Sequence, residues 1–348
     1  MSSGAREIAA PADLDEFEEY AVREAWSDGF PIVPPTPERV AAMVGASGRP
    51  ADELLGKMPP FYSDVSVEKV AINAVMAGCR PSYFPGVLAA VESLLDPEFN
   101  LYSIQATTNP VAPLLIFSGP WAEEVGLHSG AGALGAGFHA NATIGRALRL
   151  CMLNLGGGRP IVADKATLGF PGKFSFCLAE NAADSPWPSL REREGYRAEE
   201  TTVTAFGATG TTNVLDYGAQ TGRALLDNLA ESAAIPGSNN LQLGGGPLFL
   251  ISPEHAQIMA RDGFSIEDVR RYLFLHARVA RSRITQELWE AVLVKRRPLS
   301  HLGLDSIPVA NAEEDILVVV TGGPGPHTQI LPSFGEGTKP VTRVVRKP

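Results

Sequence analysis

The order of apolar and polar positions divides the chain into alternating helical and extended stretches. Asp13 with Glu16 forms a helix-capping pair, and Leu14, Phe17 and Ala21 then recur on one helical face, so a helix is expected to run to about Asp28-Gly29. Pro31, Pro34, Pro35 and Pro37 impose an extended segment, with Thr36-Pro37 opening the next helix. Phe30, Ile32 and Val33 in this arm need burial, which predicts that it wraps the body. Val65 to Leu95 reads as helical with a break at Cys79-Arg80-Pro81. Leu101–Ala106 and Leu114–Phe117 read as short buried strands. Further strands are expected at Phe174–Leu178, Thr201–Phe206, Leu248–Ser252 and Ile316–Thr321. Helices are expected from Asn141 to about Asn154, over Ala219–Ala233 and His255–Arg261, from the Ser265/Asp268 pair onward, and in a last stretch ending near Lys295.

One pattern occurs twice. Pro113-Leu114-Leu115-Ile116-Phe117-Ser118 is followed by Pro120, Ala122 and Gly126; Pro247-Leu248-Phe249-Leu250-Ile251-Ser252 is followed by Pro253, Ala256 and Gly263. Each copy has a helix upstream and a polar or glycine-rich turn before the strand, Thr107-Thr108-Asn109-Pro110 in one and Leu243-Gly244-Gly245-Gly246 in the other. The expectation is an α/β protein of mixed-sheet architecture, turn-rich, with an internally duplicated strand–helix unit. Its parts would be a wrapping arm (1–60), a first unit with a glycine-rich loop (61–212) and a second, pseudo-repeated unit (213–348). Chance recurrence of apolar strands ending in Ser and Pro is the competing explanation.

Composition narrows the function classes. The chain has 348 residues and a formal net charge of −10, which disfavours nucleic acid as the main partner, since such binders neutralise phosphates with Lys and Arg. Cys79, Cys151 and Cys177 are an odd set of three in a long chain, so no disulfide framework is implied. Met1 to Glu16 lacks a basic region followed by an apolar core, and no apolar run approaches a membrane span. A cytoplasmic location and no membrane association are therefore expected.

Candidate chemistry is scattered. Gly130, Gly132 and Gly135 match G-x-G-x-x-G, but a helical stretch precedes them where a dinucleotide fingerprint requires a strand. The run into Asn141 could instead hold an anion at a helix start, with Arg146 and Arg149 one to two turns further on. Cys79, at a helix break beside Arg80, is the candidate nucleophile or redox thiol; a small buried hydrophobe is the plainer role. Lys173, Glu180 and Asn181 bracket a strand, and Glu180 is a candidate acid or base. His327 follows the Gly322-Gly323-Pro324-Gly325-Pro326 turn at the end of a strand, where open α/β sheets place ligands. With Cys79, Glu180 and His327 as catalytic candidates, Asn141, Arg146, Lys173, Thr107, Thr108, Gly322 and Gly323 are the substrate-binding candidates. The histidines show no metal-ligand spacing, there is no nucleophile elbow and no phosphate-binding loop, and the cofactor is left unassigned.

Four segments carry a resemblance: Asp28-Gly29-Phe30-Pro31 with Pro34-Pro35-Thr36, Ala71–Pro81, Asn141–Ala147, and Gly322–Gly325. They are similar to a bacterial family whose members resemble proteins encoded beside, or related to, the UGSC-motif (seleno)proteins, which carry selenocysteine or cysteine in a Gly-Ser-Cys context. The resemblance implies a two-component system with thiol or selenol chemistry. His128 and His139 stand where relatives look like Asn and Arg, which puts a shared substrate in doubt. This chain holds no Gly-Ser-Cys segment, so that centre would come from a second, small polypeptide. The resulting expectation is an enzyme, or the larger subunit of one, acting on a small polar or anionic metabolite. Its chemistry would be thiol-assisted addition, elimination or redox at a carbon–heteroatom bond, of lyase or oxidoreductase type, in an oligomer. A non-catalytic scaffold or ligand-binding subunit is the alternative.

Overall fold

The structure, a computed structural model, describes residues 5–297, 301 and 305–348. Twelve strands are present among them: β1 Leu54–Met58, β2 Ser63–Ser66, β3 Ala112–Ser118, β4 Cys177–Ala179, β5 Thr202–Ala208, β6 Thr212–Leu215, β7 Leu248–Ile251, β8 Arg278–Ala280, β9 Ser306–Pro308, β10 Leu317–Val320, β11 His327–Leu331 and β12 Val341–Val344. The longer helices are α1 Leu14–Arg23, α2 Pro37–Gly45, α3 Val67–Met76, α4 Phe84–Leu95, α5 His139–Asn154, α6 Gly222–Ala233, α7 Pro253–Arg261 and α8 Ile266–His276. The protein is α/β with mixed sheets, as the patterning predicts.

Two four-stranded sheets carry the fold, in the orders β12-β5-β3-β4 and β10-β7-β11-β6. The two repeated sequences are β3 and β7, and each is a central strand. Each runs parallel to one neighbour, β4 or β10, and antiparallel to the other, β5 or β11. The fourth strand is exchanged: β6, which follows β5 in sequence, pairs with β11, while β12, which follows β11, pairs back onto β5. The halves thus share one topology and complete each other's sheets.

Strands β3, β4, β5 and β7 are buried along their whole length because both faces are covered. Leu114, Ile116, Leu178 and Phe206 point from the first sheet into a core that also takes Leu248, Leu250, Val319 and Leu331 from the second. The alternate residues Leu115, Phe117, Val203 and Ala205 face α3, α4 and α5. On the far side Phe249, Ile251, Val318 and Val320 face α6, α7 and α8. The result is a four-layer α/β/β/α sandwich.

Several local expectations change. Leu101–Gln105 is a helix, not a strand, because Asn100 turns into the left-handed region (φ 53°) and its side chain caps Ser103 N. The Leu54–Ser66 hairpin was not expected; its strands pair in an irregular register around Gly56. The first helix stops at Arg23, and the arm after it is half-covered: Ile32 is buried, whereas Phe30 is 49% exposed. Among the described residues no helix is long and apolar enough to cross a membrane.

Candidate functional site

Three of the four segments that carry the family resemblance meet in space. The Arg146 guanidinium, mid-way along α5, grips Asp28 with two hydrogen bonds (2.8 and 2.9 Å) and donates to the Phe30 and Pro31 carbonyls. Val33 N donates to Met76 O at the end of α3, and the Cys79 thiol donates to Thr143 O at 3.3 Å. Arm, α3 turn and α5 therefore form one locked junction. Arg146 spends its fork on the arm, which corrects its reading as a substrate anchor.

Asn141 does not cap α5; the helix begins one turn earlier in the chain, after Phe138. Buried at 4% exposure, its side chain accepts from His128 N and donates to His128 O, pinning the glycine-rich loop onto the sheet. That loop does meet the second glycine turn. Gly322 N donates to Ser129 O, and Thr321 Oγ1 donates to Ala179 O, so the C-terminal ends of β4 and β10 close on each other. Ala131 packs so tightly on Gly323 that a Cβ there would lie 2.7 Å from the alanine methyl. Gly323 thus serves close approach between the halves, whereas a Cβ on Gly322 would meet open space, and that residue instead takes a left-handed backbone conformation (φ 90°). His128 lies flat on Phe138, with ring centroids 3.6 Å apart.

Glu180 is adjacent but buried. Its carboxylate accepts from Ser118 Oγ (2.5 Å) and from Leu190 N (2.9 Å), with Arg191 and Arg193 nearby. Burial raises its pKa, against the pull of these donors and arginines. His327 is exposed at the start of β11, opposite Leu215 of β6. Cys79 belongs to the helix-side core, and burial pushes its thiol up to about 12, outweighing the Thr143 hydrogen bond and Arg146. Cys151 and Cys177 are buried too, and burial raises both further. A thiolate is the reactive form, so the geometry does not present Cys79 as a nucleophile, and its setting is that of a core residue.

Thr107, Thr108 and Lys173 lie at the opposite end of the first sheet. Thr108 O accepts from Thr167 N there, near the start of β3. A seven-residue strand spans about 20 Å, so these residues do not share a site with Gly322 and Glu180. Lys173 instead pairs with Asp164 at 2.5 Å, both largely buried. Burial lowers the Lys173 pKa, opposed by Asp164.

The sequence sets Arg149 with Arg146 beside a possible anion at the helix start, and of the two it is Arg149 that stands out next to this pair. Arg149 is 8% exposed, yet it makes no hydrogen bond or ion pair with any described residue. Burial lowers its pKa to about 10, with Asp164 and Asp28 opposing the shift, so it stays charged at neutral pH. It borders a small crevice of about 10 Å³ with Gly145, Gly172, Phe176 and Pro113. α5 can approach β4 this closely because residue 145 has no side chain: a Cβ there would lie 2.8 Å from Phe176 N. Spacing from Gly145, one helical turn earlier, was the available signal for Arg149. A larger depression of about 300 Å³ lies on the far surface between α7 and α8, lined by Phe264, Tyr272 and Asp268 among others, remote from every candidate. Among the described residues no group of three or more His, Cys, Asp or Glu side chains is placed to hold a metal.

No protein-family model matches the chain, and a search of curated proteins returns no match.

Proposed function

We propose that this chain is the larger, substrate-holding subunit of a two-component enzyme that acts on a small anionic metabolite. The reactive thiol or selenol is supplied by a small partner protein carrying a Gly-Ser-Cys segment. The observation that carries this reading is that all three cysteines are buried, with their pKa values raised away from the thiolate form. Thiol chemistry, which the sequence resemblance implies, therefore needs an outside source. Lyase or oxidoreductase chemistry at a carbon–heteroatom bond is the reaction class in keeping with that source.

A second observation favours a partner. The strap between α5 and β4 exposes Ile161 at 87%, Leu168 at 95% and Phe174 at 49%, and Phe174 packs edge-on against the equally exposed Phe30. Exposed apolar side chains that adjoin one another, as Phe30 and Phe174 do, are in keeping with an interaction surface.

Tagged chain purified from its native host tests the proposal: a small polypeptide with a Gly-Ser-Cys or Gly-Ser-selenocysteine segment should co-elute in fixed ratio. Recovery of the chain alone, active on a metabolite by itself, would oppose it. In that event the non-catalytic alternative is also excluded.

A further inference from the structure

The charge of Arg149 has no partner within the described fold, and this is the fact that needs an account. A guanidinium taken out of water without an acceptor is expensive. The other arginines taken out of water here are held directly: buried Arg297 donates to Asn240 O, Pro308 O and Ala310 O, and half-buried Arg193 donates to Val318 O and Pro188 O. Arg149 has no such contact. None of its nitrogens is among the wholly enclosed unpaired atoms, and the residue lines the crevice.

The surroundings leave that charge uncancelled. Asp164, the acid with the strongest pull on it, is tied to Lys173 and to Ala166 N, and Asp28 is tied to Arg146. Arg149, Lys173 and Asp164 together bear one net positive charge. The crevice walls are otherwise apolar or backbone: Pro113, Gly145, Leu148, Met152, Gly172 and Phe176. About 10 Å³ is room for one water-sized group, which matches a single anionic oxygen entering end-on. Gly172 packs between two rings, since a Cβ there would lie 2.5 Å from Phe170 Cε2 and 3.0 Å from Phe176 Cδ1.

We propose that Arg149 is the anchor for a carboxylate group, with one oxygen of the ligand in the crevice and the rest of the molecule outside it. This names the substrate class for the two-component reading and rests on it for its biological meaning. A guanidinium N–H donates a charge-assisted hydrogen bond to that oxygen, and a monoanion balances the local charge.

Formate and acetate are the probes, measured by isothermal titration and by their effect on the thermal midpoint of the purified chain. Wild type should bind formate saturably, and Arg149→Met should weaken it at least tenfold. Arg149→Lys, which keeps the charge on a shorter side chain, should fall between. The methionine variant is expected to fold, because replacing an unpaired buried charge with an apolar chain of similar length is tolerated; if it does not, the lysine variant decides. Equal formate affinity in wild type and variants, or no saturable binding of either probe to wild type, would overturn the proposal and leave the crevice to water. The measurement involves neither partner nor turnover. A negative result here therefore leaves the partner-supplied thiol standing, and loss of the partner would leave the anion site standing.

Discussion

At the scale of the residue, burial decides which groups can react. His255 is fully enclosed; Nδ1 meets Thr328 Oγ1 at 2.9 Å, and Nε2 has no hydrogen-bond partner among the described residues. Burial holds its pKa below the ordinary 6.5, with nearby Asp216 opposing. The sign follows directly. Above pH 6.5 the imidazole is neutral in both folded and unfolded chains and costs nothing. As the pH falls below 6.5, the unfolded chain takes up a proton that the buried ring resists, and the fold loses stability. Denaturant unfolding at pH 7.5 and 5.5 should show that His255→Gln loses less stability over this interval than wild type; equal losses would contradict the assignment. The same comparison of burial with chemistry explains which sequence candidates survive. Residue type pointed to Cys79, Arg146 and Asn141, and all three are used inside the fold. What distinguishes Arg149 from Arg146, three residues away, is only which side of α5 faces the sheet, and that depends on Gly145 packing against Phe176.

Elements are set where local signals and packing agree. The capping pairs at Asp13 and at Ser265 with Asp268 appear as hydrogen bonds, and the strands β3 and β7 fall on the repeated apolar runs. Leu101–Gln105 was misjudged because five apolar and polar residues cannot distinguish a strand from a helical turn; the deciding feature, Asn100 in the left-handed region, is a backbone property. The contact between α5 and β4 is the most constrained of these junctions. Gly145→Ala introduces a methyl 2.8 Å from Phe176 N and closer still to Ser175 Oγ. Overpacking against backbone costs about 1–3 kcal/mol, and urea denaturation should report a loss in that range. A change below a few tenths of a kcal/mol would mean that helix and strand are not in this contact.

For the whole molecule, the repeat legible in the sequence corresponds to two sheets of one topology, and we propose that it reflects an internal duplication. What the sequence could not convey is the exchange of β6 and β12, since pairing partners more than a hundred residues apart leave no local trace. That exchange has a mechanical consequence: the C-terminal strand completes the first half, where Val341 and Val345 join its helix-side core. Deleting 336–348 should therefore destabilise the first half as well as the C-terminus, seen as enhanced proteolysis within α3–α5; a cleavage pattern unchanged from wild type would argue against it. The account as a whole turns on where the reactive sulfur or selenium resides. The most direct measurement is turnover of a small-carboxylate library by the chain, with and without its Gly-Ser-Cys partner, comparing wild type with a Cys79→Ala, Cys151→Ala, Cys177→Ala variant that is confirmed to be folded. The account predicts activity only with the partner present and equal rates for the two forms of this chain. Turnover by the wild-type chain alone, abolished in the cysteine-free variant, would contradict it.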